Sequence, residues 1–158
     1  MPPDALIEWM LAVERSGLGQ AARSTVWLYP LANLAHVLGA ALLLGAIATF
    51  DVAVLRRMPA AAALARVAIP IAAFGLLLQI VSGAVLLSAE ASALVRNPAF
   101  QLKMAMLLIG LANVALFHGL FGRGLARGGS LDAARPFAAL SLAVWVIVLL
   151  AGRAIAYV

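Results

Sequence analysis

The sequence predicts an all-α polytopic membrane protein: an antiparallel four-transmembrane-helix bundle with a short amphipathic N-terminal helix lying in the interface. Three observations predict it. Of 158 residues, 66% are hydrophobic and only 11% charged, against about 45–50% and about 25% in an average soluble domain. A chain this short has too little interior to hide that much apolar surface from water. The apolar residues also run in four stretches, each near or above the roughly 20 residues that cross a hydrocarbon core.

The first element is residues 4–15, DALIEWMLAVER, where Leu6, Trp9, Met10 and Val13 recur at helical spacing while Asp4, Glu8 and Arg15 lie mostly on other faces. That pattern predicts an interfacial helix, ended by Gly17 and Gly19. The acidic residues and the lack of a continuous apolar core argue against a signal peptide in this region. Span one is expected over 26–54, with Trp27 and Tyr29 as interfacial aromatics, Pro30 in the first turn, and Asp51, Arg56 and Arg57 closing the far end. Span two is expected over 61–89, with a kink at Pro70. Span three begins after Asn97-Pro98 and is expected over 98–121. Span four begins at Arg135-Pro136 and is expected over 135–157. The stretch 122–132, GRGLARGGSLD, reads as a loop. Its glycines follow no strand, so it is no dinucleotide fingerprint.

The charges set an orientation. Arg56, Arg57, Arg123, Arg127 and Arg135 fall on one side of the membrane, and Arg15, Arg23 and Arg96 on the other. By the positive-inside rule the first side is cytoplasmic, so both termini are expected outside. The net charge of +5 suits arginines beside anionic headgroups of a lipid bilayer. The basic residues form no stripe and adjoin no soluble module, so nucleic acid is not an expected partner. The chain has no cysteine, which excludes disulfides, thiolate chemistry, iron–sulfur clusters and c-type haem attachment.

The informative residues are the polar ones inside the spans. A Lys near mid-helix costs about 2.5–3.5 kcal/mol on insertion scales, so an ionisable group there points to a function or an internal partner. At about 1.5 Å per residue, His36, six residues past Pro30, lies about 9 Å in from the outer side. Lys103, five residues past Pro98, is at nearly the same depth. Asn33 shares a face with His36, and Gln79, Ser82 and Arg153 fall in the outer halves of their spans. Asn33, His36, Gln79, Ser82, Lys103 and Arg153 are therefore expected to converge on one pocket. His118, twenty residues past Pro98, lies about 30 Å along span three, level with Asp51 near the cytoplasmic end. Asp51 is expected to pair with Arg56 or Arg57, or to cap a helix end.

Each polar residue has two readings. His36 is either a neutral histidine bonded to Asn33 or a backbone carbonyl, or an axial haem or metal ligand. Lys103 and Arg153 either snorkel to the interface or face inward as counter-charges. An inward Lys103 agrees with a mixed polar stripe at helical spacing, Lys103, Met106, Gly110, Asn113 and Phe117. His118 is either an interfacial residue or a ligand. Met104 and Met106 are read as packing rather than copper ligation, and no HxxxH, HExxH or paired-carboxylate motif supports hydrolytic metal chemistry.

The order of these features is a resemblance in itself. A histidine opens span one, a Gly-rich helix ends in Asp and Arg, a Pro-containing span follows, and span three carries N-P-x-F-x-x-K, Asn113 and Phe117-His118-Gly119. Over about residues 26–157 the chain resembles an uncharacterised family of four-span bacterial membrane proteins. It is distantly similar to the copper-resistance D proteins and to the membrane-type protoporphyrinogen oxidase. In that oxidase a span-one histidine and a span-three lysine mark the haem b site, and the matching positions are His36 and Lys103. The fifteen residues between Lys103 and His118 exceed the interval in the oxidase, which sets His118 apart.

The resemblance implies a bacterial inner-membrane protein that binds haem b and exchanges electrons with quinone or a protein partner. His36 would be one axial ligand, and Lys103, His118 or His36 of a second copy in a homo-oligomer the other. Lys103 and Arg153 would otherwise face propionates. Two further classes stay open: a transport or permeability protein for copper or a small molecule, and a non-catalytic membrane subunit of a larger complex. Whether the chain is an enzyme is not decided by the sequence.

Overall fold

The computed structural model describes residues 3–126 and 131–158. Among the described residues the secondary structure is entirely helical. Two short helices come first, α1 (Pro3–Arg15) and α2 (Gly17–Ser24), followed by α3 (Leu28–Leu55) and α4 (Ala61–Ala89). A single turn, α5 (Ala91–Leu94), leads into α6 (Pro98–Ala126), and a 3₁₀ turn, Asp132–Ala134, leads into α7 (Arg135–Ala154). Helices α3, α4, α6 and α7 with its preceding turn are each long and apolar enough to cross a membrane.

Helix α3 starts two residues after the expected 26 and ends one after 54, and three other boundaries differ from the sequence expectation. Gly17 and Gly19 do not end the helical region but belong to α2. Ser16 restarts the helix as its N-cap, with Oγ accepting from the Gly19 N–H at 3.2 Å, which satisfies one of the orphan donors of a first turn. Gly19 is small for packing: a methyl there would sit 2.7 Å from the Ser88 carbonyl and closer still to that of Glu14. Gly122 and Gly124 lie inside α6, not in a loop. A helical glycine costs about 1 kcal/mol relative to alanine, which is a penalty and not a stop. Of the expected loop, residues 127–130, with Arg127, lie outside the described residues. The third difference is α7, which ends at Ala154, before the expected 157.

Two pairs of helices make the closest contacts, α3 with α4 and α6 with α7, and α3 also packs on α7. Glycine sets the first of these. A methyl on Gly75 would meet the Leu43 nitrogen at 2.6 Å, and one on Gly39 would meet the Gly75 carbonyl oxygen at 2.9 Å. The two backbones therefore touch directly, as small residues permit in membrane helices. The second pair is pinned at one end by Asn97. Its Oδ1 accepts from the Phe100 N–H at 3.0 Å, capping α6 ahead of Pro98. Its Nδ2 donates to the Ile155 and Val158 carbonyls beyond α7.

α3 stops without glycine. The Met58 N–H bonds the Ala53 carbonyl at 2.9 Å and the Arg57 N–H bonds that of Val54 at 3.1 Å, the pairing of a Schellman motif. Arg57 takes the left-handed position with φ of 53°. From there its Nε lies 2.9 Å from Asp132 Oδ1, which ties the end of α3 to the start of the α7 segment.

The buried core lies toward this end. Phe50, Ala53, Val54, Ala61, Ala65, Phe117 and Ala138 form it, and a chain of ring contacts runs from Phe50 through Phe117 and Phe121 to Phe137 with centroids 5.5–5.6 Å apart. The outward faces are apolar too: Val37, Phe74, Leu108 and Leu150 are all more than half exposed. Large contiguous apolar surface of this kind fits acyl chains as solvent and not water.

Candidate functional site

Side chains of α3, α4 and α6 meet at His36, and α7 adjoins Lys103. The residue sits on α3, Ser82 and Gln79 are on α4, Lys103 reaches in from α6, and α7 closes the group with Gly152. Ser82 Oγ lies 2.9 Å from His36 Nδ1. Lys103 Nζ lies 3.2 Å from His36 Nε2. Gln79 Nε2 donates to the His36 main-chain carbonyl at 2.8 Å. Ser82 is buried, while His36, Gln79 and Lys103 are half-buried.

The hydrogen bonds assign the tautomer. The Ser82 hydroxyl donates back to the Leu78 carbonyl one turn earlier, a usual arrangement for a mid-helix serine. Its one proton is thereby used, so Ser82 Oγ accepts from His36 Nδ1–H. Nε2 then carries the lone pair, and it is this lone pair that accepts from Lys103. The cluster is a directed chain, Lys103 to His36 to Ser82 to the Leu78 carbonyl. A basic imidazole nitrogen and an amine face each other in it.

Two glycines shape the cluster that composition and spacing did not single out. A methyl on Gly83 would sit 3.2 Å from the His36 ring, and one on Gly152 would sit 3.4 Å from Lys103 Nζ. Gly83 leaves room at the Cε1–Nδ1 edge of the His36 ring, and Gly152 leaves room beside the Lys103 amine. Their signal in the sequence was faint: Gly83 directly follows Ser82, and Gly152 directly precedes Arg153.

Of the other residues expected to converge, Ser82 and Gln79 do, and Asn33 and Arg153 do not. Asn33 is exposed, and the Nδ1 partner of His36 is Ser82, neither Asn33 nor a carbonyl. Arg153 is exposed and turns to Tyr157, bonding its hydroxyl and lying 4.9 Å from the ring centroid. The stripe read from α6 is its inward face: Gly110, Asn113 and Phe117 are buried, and Lys103 and Met106 half-buried. His118 is exposed. Its Nδ1 donates to the Val114 carbonyl at 2.9 Å, and it borders a separate cavity lined also by Asp51.

Asp51 corrects an expectation. It is only 3% exposed and has Ser141 as its hydrogen-bonding neighbour, not Arg56 or Arg57. Arg57 is taken by Asp132. Asp51 lies on the face of α3 that packs inward, beside Phe50 and Val54, and the arginines follow after the helix has ended.

At the end of the molecule nearer His36, Glu14 fastens the N-terminal helices. Its Oε1 accepts from both the N–H and the hydroxyl of Ser92 at 2.7 Å. The Ser92 N–H first, and its hydroxyl second, hold the carboxyl below its ordinary pKa. Arg23 adds bonds to the Glu14 and Ala89 carbonyls.

Among the described residues no three His, Cys, Asp or Glu side chains come together as a metal-holding group. No protein family, curated protein or solved structure matches the chain.

Proposed function

We propose that the chain is a haem b-binding redox protein of the bacterial inner membrane, built as an antiparallel four-span bundle with both termini periplasmic. The observation that carries this reading is the state of His36: Nδ1–H is held by Ser82, and the Nε2 lone pair is met only by the amine of Lys103 on its long stem. A ligating histidine almost always has its other ring nitrogen held in this way, which fixes the ring and raises its basicity. The donor types, an imidazole nitrogen and an amine, suit iron; the two nitrogens bond each other at 3.2 Å, so the Lys103 stem would have to swing aside for iron to reach Nε2.

Haem, when bound, supplies reversible one-electron transfer. His36 would hold the iron through Nε2, and Ser82 orients its ring. Gln79 pins the backbone that carries it. Lys103, on its long stem, would either help to hold the iron or act as a counter-charge to the cofactor's carboxylates. The apolar surround keeps water from the site and so tunes its potential. Asn97, which joins the start of α6 to the residues beyond α7, and the Arg57–Asp132 pair at the other end both support the antiparallel arrangement.

The test is the absorption spectrum of the full chain, purified in detergent from haem-replete cells. A Soret band that is lost in His36→Ala is the expected result. A colourless wild-type protein would sink the reading.

One observation favours a second reading. The Lys103 to His36 contact is direct, and an N–H···N bond in an apolar setting is a route for a proton. A transporter for a small molecule, with this pair as its proton carrier, is the alternative if the protein is colourless. Uptake assays that respond to Lys103→Met would support it.

A further inference from the structure

Three sides of the bundle are closed and the fourth is open. α3 packs on α4, α6 packs on α7, and α3 packs on α7, while α4 and α6 scarcely touch. A cavity of about 180 Å³ lies behind the open side. Its floor is α3 and α7, where Leu43, Phe50, Ala138 and Trp145 are all buried. The exposed residues of its lining come only from the two helices that fail to meet: Ala73 on α4, and Leu111 and His118 on α6. The mouth is therefore the gap between α4 and α6. It faces whatever surrounds the long helices, and for helices that cross a membrane that is lipid.

The accessible wall is almost wholly apolar and rich in rings. Asp51 Oδ2, Asn113 Oδ1 and Trp145 Nε1 belong to lining residues but are themselves shut in, so they offer nothing that a guest could bond. What the cavity can hold is hydrocarbon. An apolar void of about 150 Å³ takes one benzene, so about six carbons fit. In a bilayer, escape from water adds nothing to such binding. The gain is contact for walls that otherwise face a void.

Polarity changes along the crevice. Toward the His36 end the lining is Leu43, Leu76 and Leu111. Toward the other end His118 stands at the rim. On α4 the lining residues Leu76, Ala73 and Ile69 continue, at helical spacing, to Arg66, one turn nearer the start of the helix. Arg66 is exposed, and no hydrogen bond or ion pair holds it to another described residue. A helical side chain leans toward the N-terminus of its own helix, which for α4 is the end where Arg57 meets Asp132. An open cation thus stands at the interface end of a crevice whose apolar space runs toward mid-membrane. A lipid with a negative headgroup has the same layout.

We propose that the crevice between α4 and α6 binds one anionic phospholipid of the surrounding leaflet, with an acyl chain against Trp145 and the headgroup at Arg66. One arginine near a membrane surface favours an anionic headgroup by about fivefold. The proposal rests on the membrane-spanning reading and is independent of haem at His36.

The test uses the full chain with Trp9→Phe and Trp27→Phe, which leaves Trp145 as the one tryptophan. It is reconstituted in phosphatidylcholine vesicles that carry a minor fraction of lipid brominated in mid-chain, either phosphatidylglycerol or phosphatidylcholine. Emission is referred to the same vesicles without bromine. Bromine quenches an indole only at close range, and Trp145 is buried behind the mouth. Brominated phosphatidylglycerol is expected to quench at about fivefold lower mole fraction than brominated phosphatidylcholine. Arg66→Gln should abolish that preference, and Arg66→Lys should keep it. Ala73→Leu narrows the mouth and should cut quenching by both lipids at least twofold. An unchanged emission maximum in that variant shows that Trp145 is still packed. Equal quenching by the two lipids, or a preference that survives Arg66→Gln, would overturn the proposal. Quenching that ignores Ala73→Leu would overturn it by placing the bromine among the lipids around the bundle. No quenching by either lipid would overturn it in favour of a closed void or a face covered by a second copy. None of these results touches the absorption test of the His36 site.

Discussion

At the scale of single residues, the account turns on where one proton sits. Ser82 gives its hydroxyl proton to Leu78, so His36 must donate from Nδ1 and present Nε2 as a base. Ser82→Ala removes the acceptor and frees the ring to rotate or change tautomer. The expected result is a drop of about 10–100-fold in haem affinity, with the helical content by circular dichroism unchanged. It is measured by titrating haem into detergent-solubilised apoprotein. Affinity equal to wild type would mean that Ser82 is only a packing contact.

Glu14 supplies a pH dependence of known sign. Its folded pKa lies below the ordinary 4.5, so the unfastened state binds the proton more readily. The fastening is at full strength above about pH 4.5 and is lost as pH falls through the lower folded value. Hydrogen exchange in residues 5–24 is therefore expected to quicken below pH 4.5 while α3 and α4 stay protected. In Glu14→Gln the exchange of this region should be fast already at pH 7. A flat pH profile in the wild type would show that Arg23 alone holds these helices.

At the scale of elements, glycine decides the contact that carries the site. Gly39 and Gly75 bring the α3 and α4 backbones together, and one to two turns further on the same pair of helices places Ser82 against His36. Gly75→Ala forces the helices apart and is expected to cost about 1–3 kcal/mol, as overpacking does. Resistance to thermal denaturation in detergent should fall, and haem content should fall with it. Gly45→Ala is the matched control, because a methyl there meets nothing within 4 Å. Equal loss in both variants would mean that helix contact at Gly75 is not the cause.

The elements themselves were largely legible in the sequence. Helix α4 runs over the predicted 61–89, because apolar length and polar boundaries mark such a helix without help from tertiary contacts. Depth arithmetic placed His36 and Lys103 level with each other because both are counted from prolines in first turns. Which way a side chain turns was not legible. Asn33 and Arg153 have the right depth and the wrong azimuth, and depth counted along a helix says nothing of the rotation that decides which face turns inward. Asp51 was misread for a related reason. The nearest charges in sequence are Arg56 and Arg57, but its neighbours in space are Ser141 and the rings of the core. The aromatic cavity was not legible at all, since it arises where α4 and α6 fail to close.

At the scale of the molecule, the two polar groups are set apart by depth. The His36 cluster lies toward the end that α1 and α2 cap, and the Asp51 cavity lies toward the end where Arg57 meets Asp132. If the arginine-rich end is cytoplasmic, reporter fusions after residue 158 should be active as periplasmic reporters and silent as cytoplasmic ones. Fusions in the 127–130 segment should show the reverse. A cytoplasmic C-terminus would invert the molecule and place His36 in the inner leaflet.

The central claim is that His36 and Lys103 together form the cofactor site. Bound haem per folded protein, read from the Soret band and the reduced-minus-oxidised spectrum of His36→Ala, Lys103→Met and His118→Ala, tests it most directly. Lys103→Met keeps much of the stem's volume and deletes the charge, so it separates a chemical role from packing. The account predicts loss of the band in His36→Ala, a weakened or shifted band in Lys103→Met, and a wild-type spectrum in His118→Ala. Wild-type spectra for His36→Ala and Lys103→Met, with the band lost in His118→Ala, would contradict it and move the cofactor to the other end of the helices.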